Sequence, residues 1–127
     1  MVDNTNLKIA VYIRLALEDE EIIESQKDEV MRFVEEQGYN EYGSVRIYID
    51  NGASGLDYNR PAFSEMNAAI ERGEINTVIV KSIDRIGRDF IATGSWINKV
   101  MKKGVTVITM VPGKSFVTSP IGNKGGA

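Results

Sequence analysis

Lys8-Ile9-Ala10-Val11-Tyr12-Ile13-Arg14-Leu15-Ala16 is the stretch on which the reading of this chain turns. The apolar run from Lys8 to Ile13 reads as a first buried strand, and Arg14 places a cation at its carboxyl end. In open α/β sheets, ligand sites lie beyond the carboxyl ends of the strands. Side chains two residues apart in an extended chain point to the same side. Residue 16 therefore sits beside a guanidinium, where a phosphate could be held. A nucleophile at that position would face the phosphate, but Ala16 has no nucleophilic group.

The chain downstream continues the strand-helix pattern. Leu17-Glu18-Asp19-Glu20-Glu21 is acidic and suits a helix N-terminus. A helix is expected from there through about Gln37, with Ile23, Val30, Phe33 and Val34 on one face and Gly38 as its stop. Ser44 to Ile49 alternates Val45, Ile47 and Ile49 and reads as a second strand, with Asp50 at its carboxyl end. Asn51 to Asn59 is a long loop by composition. Arg60-Pro61 closes it, and Pro61 suits the first turn of a helix that carries Phe63, Met66 and Ile70 inward and ends near Gly73. Thr77-Val78-Ile79-Val80-Lys81 is a continuous apolar run, as in a strand covered on both faces. Ser82 to Arg88 is a turn. Asp89 to Lys103 reads as a helix with Phe90, Ile97, Val100 and Met101 as core, and Val105 to Met110 as a fourth strand.

This order predicts an α/β fold: an open, mainly parallel four-stranded sheet with right-handed crossovers and helices on both faces. Residues 1–111 are expected to form one core and residues 112–127, rich in Gly, Ser and Pro, a loosely ordered tail. The first three strands end in charge, at Arg14, at Asp50, and at Asp84-Arg85 with Arg88, and the fold would bring these groups to one edge.

Composition narrows the chemistry. The 127 residues include 43% hydrophobic and 26% charged residues, enough for one domain with a core. No apolar run approaches the ~20 residues of a membrane span, and Met1 to Asn6 does not read as a signal peptide. The absence of cysteine fits a cytoplasmic location and excludes thiolate chemistry. The absence of histidine removes the commonest general base and metal ligand. Catalysis would have to use Arg, Lys, Asp, Glu, Ser, Thr or Tyr. The formal charge of −3 and pI of about 5.0 argue that this piece alone binds nucleic acid weakly, although a local basic pocket remains compatible with them.

Arg14, Arg60, Arg85 and Arg88 are the candidates for such a pocket. Arg85 and Arg88 are three residues apart, so a helical turn would put them on one face, and arginine suits multidentate phosphate recognition. Taken singly, each arginine reads about equally as a solvated surface residue, Arg14 less so. Asp84 is a candidate orienter of Arg14 or Arg85, or an acid or base, and equally a turn-forming aspartate. Asp50 is a possible orienter of Arg60 or a plain strand-end residue. Gln26 could reach the pocket from the first helix, though a surface glutamine is the plainer reading. Lys81 is a weaker phosphate candidate, Ser54 reads as loop chemistry and Trp96 as packing. Neither a Gly-x-Gly-x-x-Gly nor a P-loop pattern is present.

In this order, Tyr12-Ile13-Arg14-Leu15-Ala16, Ser25-Gln26, Asp50-Asn51-Gly52-Ala53-Ser54-Gly55, Arg60-Pro61 and Asp84-Arg85-Ile86-Gly87-Arg88 resemble the catalytic domain of serine site-specific recombinases, the resolvase/invertase family. Asn59-Arg60-Pro61 and Thr77 to Lys81 look most like the large serine recombinases and the transposases of mobile elements. The resemblance spans about residues 8 to 122. It implies that Arg14, Arg60, Arg85 and Arg88 surround a scissile DNA phosphate, that Asp84 positions or exchanges protons, and that Asp50 and Gln26 support them. The family's serine nucleophile stands two residues after the first arginine, at the position held here by Ala16. That serine forms a phosphoserine link to DNA, which stores the phosphodiester energy without a cofactor.

With Ala16, the resemblance implies a core that does not cleave, either a serine-to-alanine change that traps an inactive form or a natural recombinase-like regulator. A small phosphate- or nucleotide-binding α/β module is the remaining alternative. Thr118-Ser119-Pro120-Ile121-Gly122 resembles the lead into the family's long dimerisation helix, which DNA-binding domains follow. The expectation is therefore a catalytic core cut from a parent protein that acts on DNA as a dimer or tetramer. The core by itself is expected to be monomeric or weakly associated.

Overall fold

The computed structural model describes residues 6–41, 43–52, 60–87 and 89–110, apart from the side chain of Phe90. The expectations for Ser54, Arg88, the Phe90 side chain and the tail 112–127 lie outside the described residues. Strand β1 runs Leu7–Leu15, helix α1 Glu20–Glu36, β2 Gly43–Asn51, α2 Pro61–Glu71, β3 Thr77–Val80, α3 Phe90–Lys102 and β4 Thr106–Thr109. The strands form one all-parallel sheet in the order β2-β1-β3-β4. Among the described residues, no helix is long and apolar enough to cross a membrane.

The helices start and stop for local reasons. Asp19 caps α1 by accepting from the Ile22 N–H at 3.1 Å, with Glu20 and Glu21 in the first turn. Past its end, Gly38 takes φ +76°, a conformation costly for other residues. Asp89 caps α3 with bonds to the Ile91 and Ala92 N–H groups. Helix α2 is different. Pro61 occupies its first turn, and the flanking Arg60 makes no side-chain cap bond.

The alternation of side chains along β1 divides the core in two. Ile9, Val11 and Ile13 pack with Ile23, Val30 and Val34 of α1. Ala10 and Tyr12 face the other way, against Met66, Ala69 and Ile70 of α2 and Ile97 and Val100 of α3. Helix α1 therefore covers one face and α2 and α3 the other, as the sequence pattern predicts. Strand β3 is buried along its whole length, which is why it reads as an unbroken apolar run. Strand β2 departs from expectation. Val45 and Ile49 are half-buried, but Ile47, in the same alternation, is 38% exposed, because β2 forms an edge of the sheet. Its first residue must be glycine, since a Cβ at Gly43 would overlap the backbone of Leu7, its partner in β1.

Candidate phosphate site at the carboxyl edge

The chain leaves β1 toward β2 on one side and returns to β3 on the other, so the carboxyl ends of β1 and β3 flank a topological switch point. Such points open a crevice where α/β proteins hold ligands. Arg14, one residue from the end of β1, pairs in register with Asp50 of β2. Beyond β3, a short 3-10 turn, Ile83–Arg85, carries Asp84 and Arg85. The three strand ends do converge as the sequence suggests.

Arg14 is only 3% exposed. Its Nε donates to the Arg85 carbonyl at 3.0 Å and its Nη2 to the Asp84 carbonyl at 2.6 Å. Arg60, half-buried, donates from Nη1 to the Ile86 carbonyl and lies over the Phe63 ring at 4.3 Å. Arg85 is half-buried, and its Nε is a buried donor without a hydrogen-bond partner. Burial pulls the Arg14 pKa below its ordinary value, and repulsion from Arg60 and Arg85 adds to that pull against opposing contributions from Tyr12 and Asp84. Arginine stays protonated regardless, so the clustered guanidiniums hold a positive field that an anion would relieve.

Asp84 does not orient Arg14 through its carboxylate; the contact is made by its backbone carbonyl. The carboxylate instead accepts from the Ser82 hydroxyl. That bond, with Arg85 and Arg14 nearby, lowers the Asp84 pKa against an opposing effect of burial.

Asp50 has a more definite role than the sequence indicates. It is 4% exposed and accepts from the Ala62 N–H at 2.9 Å, the Phe63 N–H at 3.0 Å and the Tyr12 hydroxyl at 2.8 Å. It thus provides from β2 the cap that Arg60 does not provide for α2, and so fixes where Arg60 emerges. Burial and the bond to Asp50 raise the Tyr12 pKa, with Arg60 close enough to oppose them. Tyr12 is one site residue the sequence reading missed; its tyrosyl oxygen buried beside a strand-end aspartate is visible only once β1 and β2 are paired.

Asn51 was missed as well. Its Oδ1 accepts from the Asp19 N–H at 2.9 Å, its Nδ2 donates to Glu20 at 3.2 Å, and Gly52 N–H reaches the Leu15 carbonyl at 2.8 Å. The end of β2 therefore ties down the β1-α1 loop that exposes Ala16.

The other candidates are placed as follows. Gln26 is 8% exposed on the face that α1 turns to the sheet, in line with Ile23 and Val30. Lys81 pairs with Glu29 of α1 at 3.2 Å, which competes with a role toward phosphate. Trp96, half-buried, packs on Phe63 against the core and donates to Asn67 at 2.7 Å. A cleft of about 200 Å³ between α2 and α3, lined by Asn67, Ile70, Trp96 and Val100 among others, shares no residue with the arginine cluster. Among the described residues, no group of three or more His, Cys, Asp or Glu side chains is arranged to hold a metal ion.

Four matches to known proteins bear on this arrangement. Residues 9–123 match the family described as Resolvase, N terminal domain. The N-terminal catalytic domain of TP901-1 integrase is similar in structure, with a TM-score of 0.71 and 27% identity, over 80% of this chain and 76% of that one. The C-terminal catalytic domain of ISC1926 TnpA, an IS607-like serine recombinase, shares the fold with a TM-score of 0.71 at 20% identity, over 85% of this chain and 72% of that one. The "Uncharacterized immunity region protein 3" of Bacillus phage phi105 is 31% identical over 77 residues, which are 58% of this chain and 90% of the phage protein.

Proposed function

This chain belongs to the Resolvase N-terminal domain family, the catalytic domain of serine recombinases, and on that premise we propose that it grips a DNA phosphodiester without cutting it. The observation that carries this reading is the convergence of Arg14, Arg60 and Arg85 at the switch point, with the exposed Ala16 following directly on β1. In the proposed pocket the guanidiniums hold the phosphate, with Arg88 contributing from the same segment of chain. Asp84 stands at the pocket as its proton-handling group, and Asp50 and Gln26 support from the second row. A serine at 16 would attack phosphorus, expel a deoxyribose oxygen and conserve the bond energy as a phosphoserine ester. Ala16 supplies no oxygen for that step, so the pocket binds and the reaction stops there.

A second reading is favoured by the match to an immunity-region phage protein: a natural, non-catalytic member that acts by occupying a DNA site or by joining an oligomer of recombinase subunits. One experiment separates the two. The parent-length protein, as Ala16 and as Ala16→Ser, is incubated with DNA carrying its crossover site and run under denaturing conditions. A covalent adduct with the serine form alone is the expected result and identifies a disarmed recombinase core. No adduct with either form, while the site is still bound, leaves the regulator. An adduct with Ala16 overturns the assignment of residue 16.

A further inference from the structure

The connection between β1 and α1, residues 16–19, carries Ala16. Burial does little to hold it, since Leu17 is 85% exposed and Ala16 and Glu18 are exposed as well. The end of β2 holds it instead. At one end of the connection the Leu15 carbonyl accepts from the Gly52 N–H at 2.8 Å; at the other, the Asp19 N–H donates to Asn51 Oδ1 at 2.9 Å. Asn51 Nδ2 reaches on to Glu20 at 3.2 Å, and a Cβ on Gly52 would stand 3.4 Å from that of Glu18. Asp19 is itself the cap of α1. Its N–H lies ahead of the first amide bonded within the helix, so no carbonyl of α1 serves it, and Asn51 is its acceptor.

We propose that Asn51 is a positioning residue for position 16: it ties the β1-α1 loop to the end of β2 and so sets where a group on residue 16 stands toward the guanidiniums. The proposal rests on the pocket reading above. An exposed residue 16 has no packing to fix it, so its place follows from the anchors on either side of the loop. Such placement matters, because an attacking atom must stand within about 3–3.5 Å of the atom it attacks. Asparagine suits the task, since one planar amide offers an acceptor to the Asp19 N–H and a donor to the Glu20 carboxylate. An aspartate there would face Glu20 with a like charge. Asn51 acts through the loop, so it changes what residue 16 meets and not how tightly the arginines hold phosphate.

The 127-residue chain has no cysteine, so Ala16→Cys gives it a single thiol at the position in question. Alkylation of that thiol by iodoacetamide is timed in inorganic phosphate and in chloride at equal ionic strength, with phosphate at about ten times its dissociation constant. A phosphate held beside the thiol shields it and disfavours the reactive thiolate, so alkylation is expected to slow about tenfold. Adding Asn51→Ala removes two hydrogen bonds and is expected to leave the loop open about half the time. Protection should then fall to about twofold. Phosphate affinity, read from the nitrogen-15 Nε signals of the arginines, is expected to stay the same. Full protection with Asn51→Ala overturns the proposal and leaves the pocket reading standing. So does a matching loss of phosphate affinity, which would make Asn51 a support of the pocket itself. No protection with Ala16→Cys alone, while phosphate still moves the arginine signals, overturns the placement of residue 16 and the proposal with it. Phosphate that moves no arginine overturns the pocket reading as well. If Asn51→Ala does not fold, amide exchange in the unaltered chain decides. The Asp19 amide is expected to exchange about tenfold more slowly than in an open chain, and exchange at the open-chain rate overturns the proposal.

Discussion

The two edges of the sheet are built from similar residues to opposite ends. At the amino edge, Asn76 accepts from the Lys8 N–H at 2.9 Å and the Thr77 hydroxyl at 3.0 Å, and donates to the Asn6 carbonyl at 3.0 Å. Near it, Arg46 and Arg72 share the carboxylate of Glu74 at 2.9 and 2.8 Å in solvent. At the carboxyl edge, Arg14 and Arg60 are drawn inward onto backbone carbonyls, and three guanidiniums lie close enough to repel one another. An edge that serves only the fold neutralises its charges on the spot. The carboxyl edge sets three guanidiniums against the carboxylates of Asp50 and Asp84, with Arg14 and Arg60 held by neutral carbonyls, and the remaining positive charge is what a phosphate would answer.

The largest break in this contrast should come from Asp50. Asp50→Ala leaves two helix N-terminal amides and the Tyr12 hydroxyl without an acceptor in a buried setting. The expected loss is about 3 kcal/mol in a urea unfolding experiment, with phosphate affinity falling as well, because Arg60 departs from the end of α2 that Asp50 fixes. At the other edge, Asn76→Ala removes a comparable number of bonds from a partly exposed amide and should cost about 1.5 kcal/mol. Phosphate binding should not change. If Asn76→Ala weakens phosphate as much as Asp50→Ala, the separation between edges is wrong and the pocket depends on the sheet as a whole.

The different legibility of the two edges has a physical cause. Periodicity locates β1, β3 and the three helices, because each buries one face or both and its apolar residues must recur accordingly. Arg14 and Asp84 could be placed at strand ends for the same reason. Asp50 could only be narrowed to two roles, since the helix it caps begins eleven positions later and capping signals are sought next to the helix. Ile47 misleads, since alternation does not reveal that β2 lies at an edge. The carbonyls of Asp84, Arg85 and Ile86 are invisible to any reading by residue type, since every residue has one. What a carbonyl accepts is decided by the pairing of β1 beside β3, which the order of elements does not specify.

Acid titration gives the finest probe of the contrast, because each edge carries one carboxylate with a depressed pKa from a different cause. Hydrogen bonds from Arg72 and then Arg46 bring Glu74 down to about 2 from its ordinary 4.5. Asp84 is lowered first by the neutral Ser82 hydroxyl. A carboxylate whose folded pKa is depressed stabilises the fold above its unfolded value and loses that contribution as pH falls through the folded one. For Glu74 the window runs from 4.5 down to about 2. The effect on stability is small for so exposed a group, and carbon-13 signals of the two carboxyls report it better than unfolding does. Added salt screens the arginines around Glu74 and should carry its midpoint back toward the ordinary value. It should move Asp84 less, because a hydroxyl donor has no charge to screen. Equal movement would mean that Asp84 is held chiefly by Arg85 and Arg14. The carboxyl edge would then neutralise its own charge as the amino edge does, and the argument for an unanswered positive field there would fail.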